Sequence, residues 1–224
     1  MAAKITRVEV TPKLGKGMRD VRGDLLKRCL VSDHNIEISS IRTIVGFLVK
    51  SEIEAEKIAL CVNDLFADPI IEEGVTNALQ LENSELFPEA PDMVVTIGFK
   101  PGVTDNPGNA ALDGFHTIFP EANSEVRVST YLTYAFFGVP SSVEIGWLSK
   151  QIHNGLIEKA LVSSKGEPYP VIQYPAVTPS EYTTPASVNL EISNDELLQL
   201  SNEGLLALNL EEMQAIRNHY RQPK

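Results

Sequence analysis

The chain has 224 residues, 43% of them hydrophobic, and a formal net charge of −11. That length carries one large or two small cores, and the acidic balance argues against a nucleic-acid partner, which needs clustered Lys and Arg. Two cysteines without a Cys/His cluster suggest neither a disulfide framework nor a zinc site, and with no signal-like N-terminus and no apolar run of about 20 residues the expectation is a cytoplasmic protein without a membrane partner.

The chain opens on alternating apolar residues, Ile5, Val8 and Val10, which predict a strand. "VEVTPKLGKGMRDVRGDLL" (Val8 to Leu26) carries that strand into a loop with Lys13 and Gly15, then into Asp20-x-x-Gly23 at a helix start. A short carboxylate at that place accepts free backbone N–H groups. "IRTIVGFLV" from Ile41 predicts a long strand containing Arg42. "SEIE" (Ser51 to Glu54) reads as a capping box opening a second helix. Ile58, Val62, Leu65 and Phe66 form its apolar stripe, with Cys61 packed inertly beside them. "DPIIEEG" (Asp68 to Gly74) closes the segment.

The same series then recurs. "VTIGFKPGVTDNPGNAAL" (Val95 to Leu112) repeats the strand and the loop, with Lys100, Gly102, Asp105 and Gly108 over Lys13, Gly15, Asp20 and Gly23. The first loop has two extra residues. "VRVSTYLTY" from Val126 repeats the long strand, with Arg127 set over Arg42. "SSVE" (Ser141 to Glu144) repeats the capping box, Trp147, Leu148, Ile152 and Leu156 the stripe, and "NGLIEKA" (Asn154 to Ala160) the closing segment, with Glu158 over Glu72. Those two glutamates read as solvated helix C-termini or as a paired surface. Two unequal loops argue against one shared phosphate ligand, so the loop reads as a turn plus a helix cap, Pro107 suiting the first helical turn.

The predicted fold class is α+β: two tandem β-α-β-α repeats, residues 1–82 and 92–162, forming a pseudo-dimer that hides sheet edges. Residues 163–192, with prolines 168, 170, 175, 179 and 185, predict an extended linker laid along a surface by Val171, Ile172, Tyr174 and Val177. Residues 193–224 predict short helices, one capped by Ser193 with Glu196 and one by Asn209 with Glu212. The last helix runs into "RQPK", which reads either as an element that docks on a partner or as the front of a longer polypeptide.

His34, His116, His153 and His219 share no metal-ligand spacing, and the sequence holds no phosphate-binding loop, dinucleotide fingerprint or nucleophile elbow. No catalytic, cofactor-binding or metal residue is assigned. The candidate partner interface is Lys13, Asp20, Gly23, Arg42, Lys100, Gly102, Asp105, Gly108 and Arg127.

At these residues the sequence resembles the small PurS subunit of phosphoribosylformylglycinamidine (FGAM) synthase. "KPGVTDNPG" is similar to that family's K-P-G-V-x-D-P-x-G loop, and "FADPIIEEG" to its L-x-N-P-V-I-E closing segment. Both halves carry the pattern, so residues 1–162 look like two fused, ferredoxin-like-related subunits, and "GLLALNLEEMQAIRNHY" is similar to the start of the synthetase portion. The first loop lacks the proline, the second has Asp-Asn-Pro-Gly for Asp-Pro-x-Gly, and Asn154-Gly155 stands for Asn-Pro. The resemblance implies a non-catalytic part of a carbon–nitrogen ligase of purine biosynthesis with glutamine as amido donor. Its partners would be the synthetase and glutaminase portions, which it bridges while shielding ammonia; ATP and magnesium are expected in the synthetase. Two other readings fit the same residues: a stand-alone regulatory module binding a small molecule between the halves, and a catalytic fragment completed by another chain, with Lys100, Asp105 and Arg127 as the residues to test.

Overall fold

In a computed structural model the structure describes residues 3–15, 18–122, 125–176 and 187–221. The chain divides into two compact units, Met1–Val177 and Thr178–Lys224.

The first unit is α+β. Its elements follow the order β1 (Lys4–Pro12), α1 (Val21–His34), β2 (Ser40–Ser51), α2 (Ala55–Leu60) continued by a π turn (Val62–Phe66), and β3 (Glu72–Thr76). A connection with one 3-10 turn (Gln80–Glu82) leads to β4 (Met93–Phe99), α3 (Asn106–Ile118), β5 (Arg127–Phe137), α4 (Ile145–Ile152) and β6 (Glu158–Ser164). One six-stranded sheet has the order β3-β1-β2-β5-β4-β6, every neighbouring pair antiparallel. The step that carries Lys13 to Lys100 and Val8 to Val95 also carries Val45 to Leu132, and those two residues face each other in the β2–β5 register.

Each strand alternates its side chains between two faces. One face is covered by α1 to α4. Val8, Val10, Val49, Ile58 and Phe66 pack there with Phe115 and Phe119 of and beside α3. Leu30 and Ile41 pack with Val95, Phe136 and Leu148. Each of these two cores therefore mixes the first half of the unit with the second. The other face is covered by chain with little regular structure. Leu81 and Phe87 of the connection lie on Ile44, Val94 and Ala135, with Tyr169 at the margin. Ile172 lies on Leu48 and Tyr131, beside Tyr174. Residues 168–176 are thus an extended strap, as the proline spacing predicts, but Ser163 and Ser164 of the predicted linker end β6 and residues 165–167 form a turn; Val177, Pro179 and Pro185 lie outside the described residues.

Several local expectations are corrected. Ser51 does not cap a helix: it ends β2 opposite Lys4, its hydroxyl is buried, and α2 starts later on Glu54, which makes no side-chain cap bond. Likewise α4 starts from Glu144 without a side-chain cap bond from Ser141. Leu156 lies past the end of α4 and is 85% exposed, so it does not extend the apolar stripe. Glu72 and Glu158 are not at helix C-termini but begin β3 and β6.

In the second unit, α5 (Asn194–Glu203) carries the expected capping box, with Ser193 and Glu196 bonded reciprocally. The N-terminus of α6 (Leu210–Arg221) is closed by Asn209 and Glu212 in the same manner. Ser201 joins the two helices, donating to the carbonyl of Leu208 and accepting from its N–H.

Candidate functional site

The Asp-x-x-Gly pattern builds the same joint twice. Asp20 is buried and accepts from Gly23 N (2.8 Å), from Thr43 N (2.5 Å) and from the Thr43 hydroxyl. Asp105 accepts from Gly108 N (2.7 Å), Thr130 N (2.6 Å) and the Thr130 hydroxyl. Each carboxylate caps its helix and also fastens it to the following long strand. The glycines allow the approach: a Cβ at Gly23 would stand 2.1 Å from the Ile41 carbonyl oxygen, and one at Gly108 would stand 2.8 Å from that of Val128. Gly15 and Gly102 serve differently, adopting φ of 99° and 85° in open space. Left-handed backbone at the turn is their reason.

The joint corrects one equivalence. Thr43 and Thr130 do the same work, so Arg42 corresponds to Ser129 and not to Arg127. Arg127 is exposed, facing Lys50 across the β2–β5 pair, and its guanidinium donates to Val126 O. Arg42 is buried on the opposite face from Thr43.

Lys13 and Lys100 also act in parallel. Lys13 N donates to Ile71 O and its Nζ to Pro69 O at 2.7 Å. Lys100 N donates to Ile157 O and its Nζ to Gly155 O. The turns they hold are closed by further bonds of one kind. Asp68 accepts from Ile70 N, and Glu72 from Asp68 N. Asn154 accepts from Leu156 N, and Glu158 from Asn154 N. Each turn is closed by these bonds and displays an aliphatic side chain to solvent, Ile70 at 77% exposure and Leu156 at 85%. Because β1 and β4 run in opposite directions, the two devices stand at opposite ends of the sheet.

Of the candidate residues, Lys13 and Asp20 meet beside a cavity of about 440 Å³ with Met18, Arg22 and Ile71. A larger one, about 740 Å³, opens at the end of the β2–β5 pair, against the connection and the strap, and Arg42 forms part of its wall with Leu14, Ser39, Phe87, Phe137 and Lys165.

Sequence reasoning missed the polar centre under the strap. Glu9 is 4% exposed and accepts from Tyr131 OH at 2.6 Å and Gln80 N at 2.7 Å. Arg7 donates to the Tyr131 hydroxyl oxygen at 2.9 Å and to Ile172 O at 3.3 Å. Burial holds the Glu9 carboxyl above the usual carboxylate range, the Tyr131, Gln80 and Arg7 contacts opposing that effect, and burial pushes the Tyr131 phenol up. In "ITRVEVT" the polar positions alternate as a solvated strand face would. Nothing local announces that distant segments cover it.

Among the described residues no group of three or more His, Cys, Asp and Glu side chains is placed to hold a metal ion, and no helix is long and apolar enough to cross a membrane. No protein-family model matches the chain, and no curated protein matches it.

Proposed function

We propose that the chain is a non-catalytic assembly element of an FGAM-synthase-type ligase, made of two tandem PurS-like repeats in one pseudo-dimer. It bridges the synthetase and glutaminase portions and shields ammonia passing between them; ATP and magnesium belong to the synthetase.

One observation carries this reading. The two motifs behind the resemblance, the Lys-x-Gly loop and the closing segment, are joined by the same pair of lysine hydrogen bonds in each half. The residues of the motif are thereby a single structural unit, present twice. The lysine ammonium groups of the loops are spent on the chain's own backbone, while the turns beside them display Ile70 and Leu156. That division suits a part that offers surfaces to partners.

Reconstitution tests it. Synthetase and glutaminase portions, prepared without this chain, are assayed with glutamine and with ammonia, before and after residues 1–224 are added. Glutamine-dependent product formation is expected to require the chain, and ammonia-dependent formation to change little. Equal glutamine-dependent rates with and without it would sink the proposal.

A second reading, a small-molecule-binding regulatory module, is favoured by one feature, the cavity of about 740 Å³ lined by residues of both halves. Such a volume falls in the range of ligand pockets.

A further inference from the structure

Arg42 is a buried cation that meets no anion among the described residues. Its side chain lies in a residue 8% exposed. The terminal nitrogens donate to two main-chain oxygens, Leu86 O at 3.1 Å and Pro12 O at 3.2 Å. Its Nε is buried with no partner, and the guanidinium lies 4.8 Å from the centre of the Phe87 ring. Among the described residues no carboxylate is within ion-pair distance of it. Asp20, the acid that acts on it electrostatically, has its oxygens committed to Gly23 and Thr43. Neutral carbonyls offset only part of the cost of withdrawing a guanidinium from water.

The cavity that Arg42 borders has the composition of an amphiphile's site. Leu14, Phe87 and Phe137 supply apolar wall, and Ser39 and Ser40 supply hydroxyls. Asp92 also lines it, but its charge is taken up by Lys165 at 3.1 Å and by the N–H groups of Gly138 and Val139. Glu85 and Glu89 are exposed side chains, free to turn to water. The position in the other half that corresponds to Arg42 is Ser129, so this charge occurs in one half and not in the other.

We propose that this cavity binds a small organic oxyanion, a carboxylate or phosphate carried on an apolar body, with Arg42 as its charge partner. Leu86 O and Pro12 O take two of the five guanidinium N–H groups, and those that remain pair with the charge of either group while the aromatic and aliphatic walls receive the body. This holds whether or not the chain bridges a ligase.

The test uses the full chain with benzoate and phenyl phosphate as probes, and benzyl alcohol and sodium chloride as controls for the apolar body and for ionic strength. Binding is followed by calorimetry and by the Arg42 side-chain and Gly138 amide resonances. Saturable millimolar or tighter binding of either probe, moving both resonances, is expected; which probe binds identifies the source of the oxyanion. Arg42→Lys, which keeps the charge and loses the planar set of donors, is expected to weaken binding about tenfold, the worth of one hydrogen bond to a charged group. Ser40→Phe alters an exposed residue at the mouth and is expected to keep the fold, checked by its melting temperature, and to abolish binding, so the test survives if the arginine variant unfolds. No saturable binding of either probe, or unchanged binding in Ser40→Phe, overturns the proposal.

Discussion

Tyr131 donates its hydroxyl hydrogen to Glu9 at 2.6 Å, tying β5 of the second half to β1 of the first beneath the strap. Arg7 completes the arrangement by donating to the same hydroxyl oxygen. A carboxyl held above its ordinary value of 4.5 binds its proton more tightly folded than unfolded. Its contribution to stability is therefore full below that value and is lost as pH rises through the folded value. Glu9→Gln cannot titrate. The difference between wild-type and variant melting temperatures is expected to change across this window and to be flat elsewhere. Parallel curves from pH 4 upward would remove Glu9 from the account.

The helix-to-strand joint predicts matched losses in the two halves. Asp20→Ala and Asp105→Ala each remove a cap, about 1 kcal/mol, and strand a buried strand N–H, about 1–3 kcal/mol. Each is expected to lose about 2–4 kcal/mol in urea unfolding. Thr130→Val keeps the N–H bond and deletes only the hydroxyl, for about 1 kcal/mol. If Asp105→Ala costs no more than Thr130→Val, the carboxylate is not the fastener described.

The four loop glycines separate into two kinds. Gly23→Ala and Gly108→Ala place a methyl against a backbone carbonyl that cannot turn away, with a loss of about 1–3 kcal/mol or more. Gly15→Ala and Gly102→Ala meet no atom and bear only the left-handed backbone cost, about 1 kcal/mol. Denaturant midpoints give the order, and a reversed order contradicts the close approach of helix to strand.

The strap is held chiefly by Ile172, which is buried over Leu48 and Tyr131. Ile172→Ala is expected to cost about 2–4 kcal/mol and to speed tryptic cleavage at Lys165. Unchanged cleavage would mean that the strap is fixed by its neighbours without this anchor.

Ile70→Asp and Leu156→Asp alter exposed side chains, so melting temperature is expected to stay within a degree or two. On the bridging proposal they lower glutamine-dependent activity in the reconstituted ligase and spare the ammonia-dependent rate. Full glutamine-dependent activity in the double variant would show that these turns do not meet a partner.

What was legible in the sequence was local. Asp20 and Asp105 announce helix starts because a cap needs only its own next three residues. The long strands and the strap follow from alternation and from proline spacing. The structure departs from the sequence pattern where tertiary contacts decide the outcome. The Ser51 hydroxyl fits a capping box, but pairing with Lys4 draws it into β2. Glu72 and Glu158 read as helix ends, because strands of five and seven residues after a turn leave little periodic signal. Residue type aligns Arg42 with Arg127, whereas the hydrogen bonds of Thr43 and Thr130 set the true correspondence. The Glu9 centre was invisible, because Gln80, Tyr131 and Ile172 reach it from far along the chain.

The helical face carries its own consequence. Each of its two cores is lined by side chains from both halves, so neither half owns a complete interior. A chain severed within residues 83–91 would yield two fragments that fold only together, with a stability set by their concentration. The peptide link between them acts as a tether that raises each fragment's local concentration for the other to the millimolar range. Such a tether also frees the halves from identity, which a pair of separate identical subunits could not escape: one half can bury Arg42 where the other buries Ser129.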